Sequence, residues 1–211
     1  MNSSVNSPPT LPLFAAGWER LAVPGAELHL LRALDLGLPA EAVLQQLIAE
    51  TPWRRESVTV WGKTYPQPRL IAWYGDAGAS YTYSKLTLEP LPWTARLADL
   101  KRRVEAASGD AFNSVLVNCY RDGNDRMGFH ADDEPELGPR PVLASLSLGA
   151  ERTFVLRPRR DKALKPVRIL LPSASLLMMK GETQAHWQHG VEREARVHGP
   201  RLNLTFRKIV G

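Results

Sequence analysis

The sequence predicts an α+β fold that is mainly β: a β-sandwich with its helices confined to the N-terminal part. Three observations predict it. After Phe112 the chain reads as six short strands separated by turn residues, with no helical run between them. Before that point lie two segments with apolar residues at helical spacing. Between those two lies a β-rich run broken by glycine.

The elements follow in chain order. Met1 to Pro12 is rich in Ser, Asn and Pro and has neither the cationic start nor the apolar core of a signal peptide. Residues 1–15 are therefore expected to be a mobile leader, and 16–211 a single domain. Pro39-Ala40-Glu41 opens the first helix, whose stripe is Val43, Leu44, Leu47 and Ile48 and which Thr51-Pro52 ends. Val58 to Tyr65, with Gly62 inside it, is expected to form a hairpin. Trp93, Leu97, Leu100 and Val104 mark the second helix, stopping near Gly109. The strands are Phe112–Tyr120, Val142–Leu148, Thr153–Leu156, Val167–Leu171, Ser175–Met179 and Arg201–Val210. Asp122-Gly123, Gly138-Pro139, Gly149, Lys165-Pro166, Gly181 and Gly199-Pro200 supply the turns. A jelly roll is one version of such a sandwich.

Lys and Arg number 27 against 22 Asp and Glu, a net charge of +5 with a sequence pI near 9.6. That excess suits an anionic partner such as nucleic acid without requiring one. Cys119 is alone, which excludes a disulfide framework and a cysteine zinc cluster and points to a reducing cytoplasmic compartment. No apolar run approaches the ~20 residues of a membrane helix, so no membrane partner is expected.

Two sets of side chains carry chemistry. His130 and Asp132 are two apart, so an extended segment projects both to one side, where a distant histidine can join them around one ion. Two histidines and a carboxylate on one face of a metal leave its other positions open, as in non-haem Fe(II) oxygenases. His189 follows the Ser175–Met179 strand closely enough to be the third ligand. His29, His186 and His198 compete for that role, His186 most seriously. On the last strand, period two puts Arg201, Asn203, Thr205 and Arg207 on one face and Leu202, Leu204 and Phe206 on the other. Two guanidinium forks in a pocket suit a dicarboxylate; on an open face they would simply be solvated. Asn118 and Tyr120 share a face of an upstream strand and offer an amide and a phenol. The run Arg157, Arg159, Arg160, Lys162, Lys165 and Arg168 reads equally as a solvated cationic turn and as a phosphate contact.

Taken together, Asn118-x-Tyr120, Asp122-Gly123, His130-x-Asp132-Asp133-Glu134, Ser175 to Met179, His189 and Arg201-x-Asn203-Leu204-Thr205-Phe206-Arg207 resemble the AlkB family of Fe(II)/2-oxoglutarate dioxygenases. The likeness runs from about Val58 to Val210 and is strongest to the animal members that repair alkylated DNA. It implies a double-stranded β-helix (jelly-roll) core at about 110–211, with N-terminal helices and a nucleotide-recognition hairpin region at about 55–90. It implies His130, Asp132 and His189 as the catalytic iron ligands, deciding the histidine rivalry. Arg201 and Arg207 would hold the carboxylates of 2-oxoglutarate, with Asn118, Tyr120, Asn203 and Thr205 completing its hydrogen bonds. O2 would be the second co-substrate. The implied reaction is oxidative demethylation of bases of the 1-methyladenine and 3-methylcytosine type, with 2-oxoglutarate decarboxylated to succinate and formaldehyde released.

On the substrate side, the resemblance maps Tyr81-Thr82-Tyr83-Ser84 to a base-binding segment in which Tyr83 stacks on a flipped base; taken alone, Tyr83 reads first as a strand aromatic in the core. Asp133 would contact the base. Trp61-Gly62-Lys63 matches a hairpin whose apolar tip enters the vacated stack, where a core tryptophan is the other reading. Lys63 and Arg69 would contact phosphates. One departure stands out. The duplex-handling relatives carry a basic triplet where this chain has Glu194-Ala195-Arg196, with Glu192 nearby, so two of three positive charges are missing. The partner is expected to be DNA, single- or double-stranded, or RNA, bound by a monomer in the cytoplasm at the nucleoid. Two other readings stand beside this one: an oxygenase of the same cofactors acting on a protein or small molecule, and a non-catalytic nucleic-acid-binding module with a closed structural metal site.

Overall fold

The computed structural model describes residues 17–60, 63–79, 81–83 and 86–210; for 58–60, 63–64, 81–83 and 86–88 it describes the backbone. Fifteen strands and three helices are defined among these residues. In order they are β1 (Trp18–Leu21), β2 (Glu27–Leu31), α1 (Ala40–Glu50), β3 (Ser57–Val60), β4 (Lys63–Pro66), β5 (Leu70–Gly75), β6 (Tyr81–Tyr83), β7 (Leu86–Leu88), α2 (Ala95–Ser108) and β8 (Ser114–Tyr120). There follow β9 (Met127–His130), β10 (Leu143–Gly149), β11 (Arg152–Pro158), β12 (Val167–Leu171), β13 (Leu176–Lys180), α3 (Thr183–His186), β14 (Trp187–Val191) and β15 (Arg201–Arg207).

The last eight strands divide between two antiparallel sheets. A seven-stranded sheet runs β1-β2-β13-β10-β15-β8-β5, and a four-stranded sheet runs β12-β11-β14-β9. That division, with β8, β10, β13 and β15 facing β9, β11, β12 and β14, is the jelly roll. β3 and β4 form the expected hairpin, and β6 pairs with β7.

The large sheet is covered on both faces, which explains its uninterrupted apolar strands. In β13, Leu176 and Met178 face a cluster formed with Leu44 and Leu47 of α1 and Leu97, Leu100 and Val104 of α2. Leu177 and Met179 point the other way, between the sheets, with Phe154, Leu156 and Trp187. β15 obeys the same alternation, with Leu202, Leu204 and Phe206 all packed on the helix side. Its opposite face is thereby turned into the gap between the sheets.

Element ends differ modestly from expectation. α2 starts after Trp93, because the Thr94 side chain accepts a hydrogen bond from Leu97 N–H and caps it. Gly109, at φ 74°, ends it in the left-handed conformation. β15 stops at Arg207 rather than Val210. β1, β2, β5, β9 and β14 have no counterpart in the sequence reading, and His189 lies within β14 rather than beside a loop. Gly149 combines φ +83° with a tight approach: a Cβ there would run into the Pro200 carbonyl at the start of β15.

Truncating Leu204→Ala, at 0% exposure, removes a side chain from the packed face that fixes β15. A loss of about 2–5 kcal/mol is expected from denaturant unfolding, with no change in the m-value.

Candidate metal and dicarboxylate site

His130 ends β9 and His189 sits in β14, and the two residues are direct partners in the antiparallel ladder. That pairing brings the ring centroids to 4.4 Å. Asp132 lies two residues beyond His130, so its carboxylate reaches the same spot. Asp132 Oδ1 is 3.8 Å from His130 Nε2, and Asp132 Oδ2 is 3.7 Å from His189 Nε2. Both separations exceed a hydrogen bond, yet one ligand atom from each residue falls within 4.8 Å of the others. An ion with bonds of about 2.0–2.2 Å can bridge such a trio.

Surrounding groups orient these atoms. Gly128 O lies 2.9 Å from His130 Nδ1, which places the proton there and leaves Nε2 with its lone pair. Phe154 stacks on the His189 ring at 5.2 Å and 24°. Arg207 Nη2 donates to Asp132 Oδ1 at 2.8 Å, while Asp132 Oδ2 is buried without a hydrogen-bond partner among the described residues. Burial pushes the His189 imidazolium down to about 3, with His130 adding to the effect, so the ring is neutral and able to ligate. Burial alone would raise Asp132, but Arg207 and the two histidines outweigh it and hold the carboxyl at about 2.

Beside the trio is a narrow cavity, and the polar face of β15 forms its wall. Arg201 is 2% exposed. Its Nη2 donates to Ser147 Oγ at 2.9 Å, and its Nε and Nη1 have no hydrogen-bond partner among the described residues. The guanidinium lies over the Tyr120 ring at 5.2 Å. Burial, with Arg152 adding to it, lowers its proton affinity against the opposing contributions of Tyr120 and Glu194. Arg201, Asn203, Thr205, Arg207, Asn118 and Tyr120 all line this cavity, as the period-two reading requires.

Two roles expected from sequence change in detail. Asn203 spends its amide inside the protein, donating to Ser145 Oγ at 2.7 Å and accepting from Thr205 Oγ1 at 3.1 Å. Arg69 is too deep for an outer phosphate contact: it is 5% exposed, and its Nε donates to Asn118 Oδ1 at 2.8 Å. It lines an open cleft that Tyr65, Gln67, Arg126, Phe129 and His130 also border. All three residues of the metal trio line the narrow cavity, and His130 also borders the cleft. Asp133, beside the ligand, pairs with Arg159 at 2.6 Å. Tyr81 and Tyr83 fall in β6 and Lys63 opens β4, whereas Trp61, Gly62 and Ser84 lie outside the described residues.

Sequence reasoning missed Ser145 and Ser147, although a polar pair at period two inside the apolar Val142–Leu148 run was a usable signal. It also missed Phe154 and Gln184, for which the sequence holds no local signal, and it read Arg159 only as part of the cationic run.

Comparison with known proteins agrees with this geometry. The sequence profile of the 2OG-Fe(II) oxygenase superfamily matches residues 39–207. The alpha-ketoglutarate-dependent dioxygenase alkB homolog 3 of Mus musculus is 46% identical over 178 residues, covering 81% of this chain and 62% of that protein. The chain belongs to the AlkB family of 2-oxoglutarate-Fe(II) oxygenases. The DNA oxidative demethylase ALKBH2 of Homo sapiens is 43% identical over 180 residues, covering 81% of this chain and 69% of that protein. The solved structure of OsALKBH1 superposes with a TM-score of 0.58 at 20% identity, covering 90% of this chain and 99% of that one, and so shares the fold. Membership brings Fe(II) and 2-oxoglutarate as cofactor and co-substrate. The trio fits a divalent ion, and the orphaned donors of Arg201 fit a carboxylate.

Acid stability of the metal-free protein follows from the site. His189 titrates at about 3 when folded against an ordinary 6.5, and Asp132 at about 2 against 3.8. The unfolded chain therefore binds more protons throughout the acid range, so stability present above 6.5 is lost progressively as pH falls towards 3. A pH series of denaturant midpoints should show this decline, and His189→Gln should flatten its upper part.

Proposed function

We propose that the protein is an oxidative demethylase of N-alkylated nucleic-acid bases, of the 1-methyladenine and 3-methylcytosine type, in DNA. The observation that carries this reading is the double exposure of the metal trio. One side meets a narrow, guanidinium-lined cavity, and the other meets an open cleft at His130. The names of the relatives, an alpha-ketoglutarate-dependent dioxygenase and a DNA oxidative demethylase, support it.

In this reading His130, Asp132 and His189 would hold Fe(II). Arg201 grips a carboxylate of 2-oxoglutarate with the donors the protein leaves open, and Arg207 serves both that co-substrate and Asp132. When bound, the cofactor pair and O2 supply the oxidation: 2-oxoglutarate becomes succinate and CO2, and one oxygen atom enters the N-methyl C–H bond. The hydroxymethyl group then leaves as formaldehyde, restoring the base. The chain's own contribution is placement and exclusion of water. Tyr65 and Phe129 give the cleft aromatic walls for a base taken out of its stack, and Trp61 and Tyr83 would act as wedge and stacking face. Asp133 supplies a carboxylate for a cationic methylated base.

Formaldehyde release from methylated oligonucleotides is the direct test. Wild type should turn over, Asp132→Ala should not, and Trp61→Ala should lose activity on oligonucleotides while still consuming 2-oxoglutarate. Consumption of 2-oxoglutarate with no activity on any methylated oligonucleotide would transfer the chemistry to a protein or small-molecule substrate. Arg201→Lys replaces a fork by a point charge; losing one charge-assisted bond of about 1.5–3 kcal/mol should weaken 2-oxoglutarate roughly tenfold or more. An unchanged KM for 2-oxoglutarate would remove Arg201 from that role.

A further inference from the structure

One buried amide outside the ligand set is aimed at the backbone of the metal site. Gln184 lies in α3 and is 3% exposed. Its Oε1 accepts a hydrogen bond from Asp132 N–H at 3.0 Å. Its Nε2 faces Met179 Sδ at 3.6 Å, which makes the oxygen the end turned to Asp132. Asp132 lies beyond the end of β9, so its N–H has no ladder partner, and the Gln184 side chain takes that place.

Gln184 is itself held. Its backbone carbonyl accepts from Arg159 Nη1 at 2.7 Å, and the same nitrogen donates to Asp133 Oδ2 at 2.6 Å. Arg159 N–H donates to His186 O at 2.9 Å, tying the start of the β11–β12 loop to the end of α3. Residues 132 and 133 are therefore both anchored to one short helix.

We propose that Gln184 is a positioning residue for the metal. It fixes the Asp132 backbone so that, with Arg207 holding Oδ1, Oδ2 turns to the ion. Metal affinity then depends on an amide that makes no contact with the metal. This rests on His130, Asp132 and His189 being the ligands, and not on the nucleic-acid substrate.

The test uses the full chain and Mn(II) alone as probe, with free Mn(II) read by electron paramagnetic resonance. Gln184→Leu keeps the volume and removes the acceptor; Gln184→Glu keeps an acceptor oxygen at the same reach. Gln184→Leu should weaken Mn(II) binding about 10–100-fold, as loss of an outer partner of a ligand does, and Gln184→Glu should stay within a few fold of wild type. The charge-transfer band of the anaerobic Fe(II)–2-oxoglutarate complex should shift in the leucine variant alone. Should the leucine variant fail to fold, Gln184→Asn, whose oxygen falls short of Asp132 N–H, takes its place with the same loss expected. Leucine or asparagine binding Mn(II) like wild type, or glutamate losing as much as they do, would overturn the proposal. Wild type failing to bind Mn(II) would instead remove the ligand assignment beneath it.

Discussion

The buried ion pair between Arg207 and Asp132 is the constraint on which the site depends. Its two side chains are 5% and 3% exposed, and it joins the large sheet, through β15, to the loop that follows β9 of the small one. Neither partner could be buried alone. Leaving one charge without the other typically costs about 3–5 kcal/mol, so the pair ties the spacing of the sheets to the position of the ligand. It also divides the carboxylate: Oδ1 is spent on the guanidinium, which leaves Oδ2 for an ion. The same pair holds Asp132 ionised far into acid, so one contact sets geometry, charge state and the register of the two halves.

What could be read from sequence follows from where period two operates cleanly. β15 has it in full: three apolar residues pack under the helices, and the four polar residues between them line the cavity. β9 and β14 do not. Each is short and contains a glycine, Gly128 and Gly190, which breaks the strand signal. Gly190 has a structural reason to be there. A Cβ on it would come 2.9 Å from Met127 O, where the register between the two strands shifts next to His189. The irregularity that seats the ligands is the feature that hides their strands. The three ligands could still be named, because residue type and the resemblance carried them. Their outer partners could not, since Gln184 and Arg159 reach Asp132 and Asp133 only across separations that sequence does not encode locally.

The acidic residues near β14 have a structural explanation of the same kind. Glu192 accepts from both Arg157 and Arg168, at 2.6 and 3.0 Å, so part of the cationic hairpin is neutralised within the protein. Glu194 turns inward: its Oε1 accepts from Thr153 N–H at 2.9 Å and lies 3.5 Å from the Nε of Arg152. Arg152 is 1% exposed and donates to the carbonyls of Asp122, Asp125 and Glu192. Replacing Glu194 by a basic residue would set a second cation against that buried guanidinium. Arg160, Lys162 and Lys165 are exposed, as are Arg157 and Arg168 beside Glu192, so this side still presents positive charge to solvent.

Charge balance at Asp133 follows from exposure. Asp133 and Arg159 are 49% and 30% exposed, so their pair is screened and worth about 0–1 kcal/mol. A cation arriving at Asp133 displaces a partner that is cheap to remove, and Arg159 keeps its bond to the Gln184 carbonyl when it goes. The buried Arg207–Asp132 pair cannot be exchanged in that way. Two carboxylates adjacent in sequence are thus given opposite characters by burial alone: Asp132 is locked to its cation and presents one oxygen inward, while Asp133 remains open to trade.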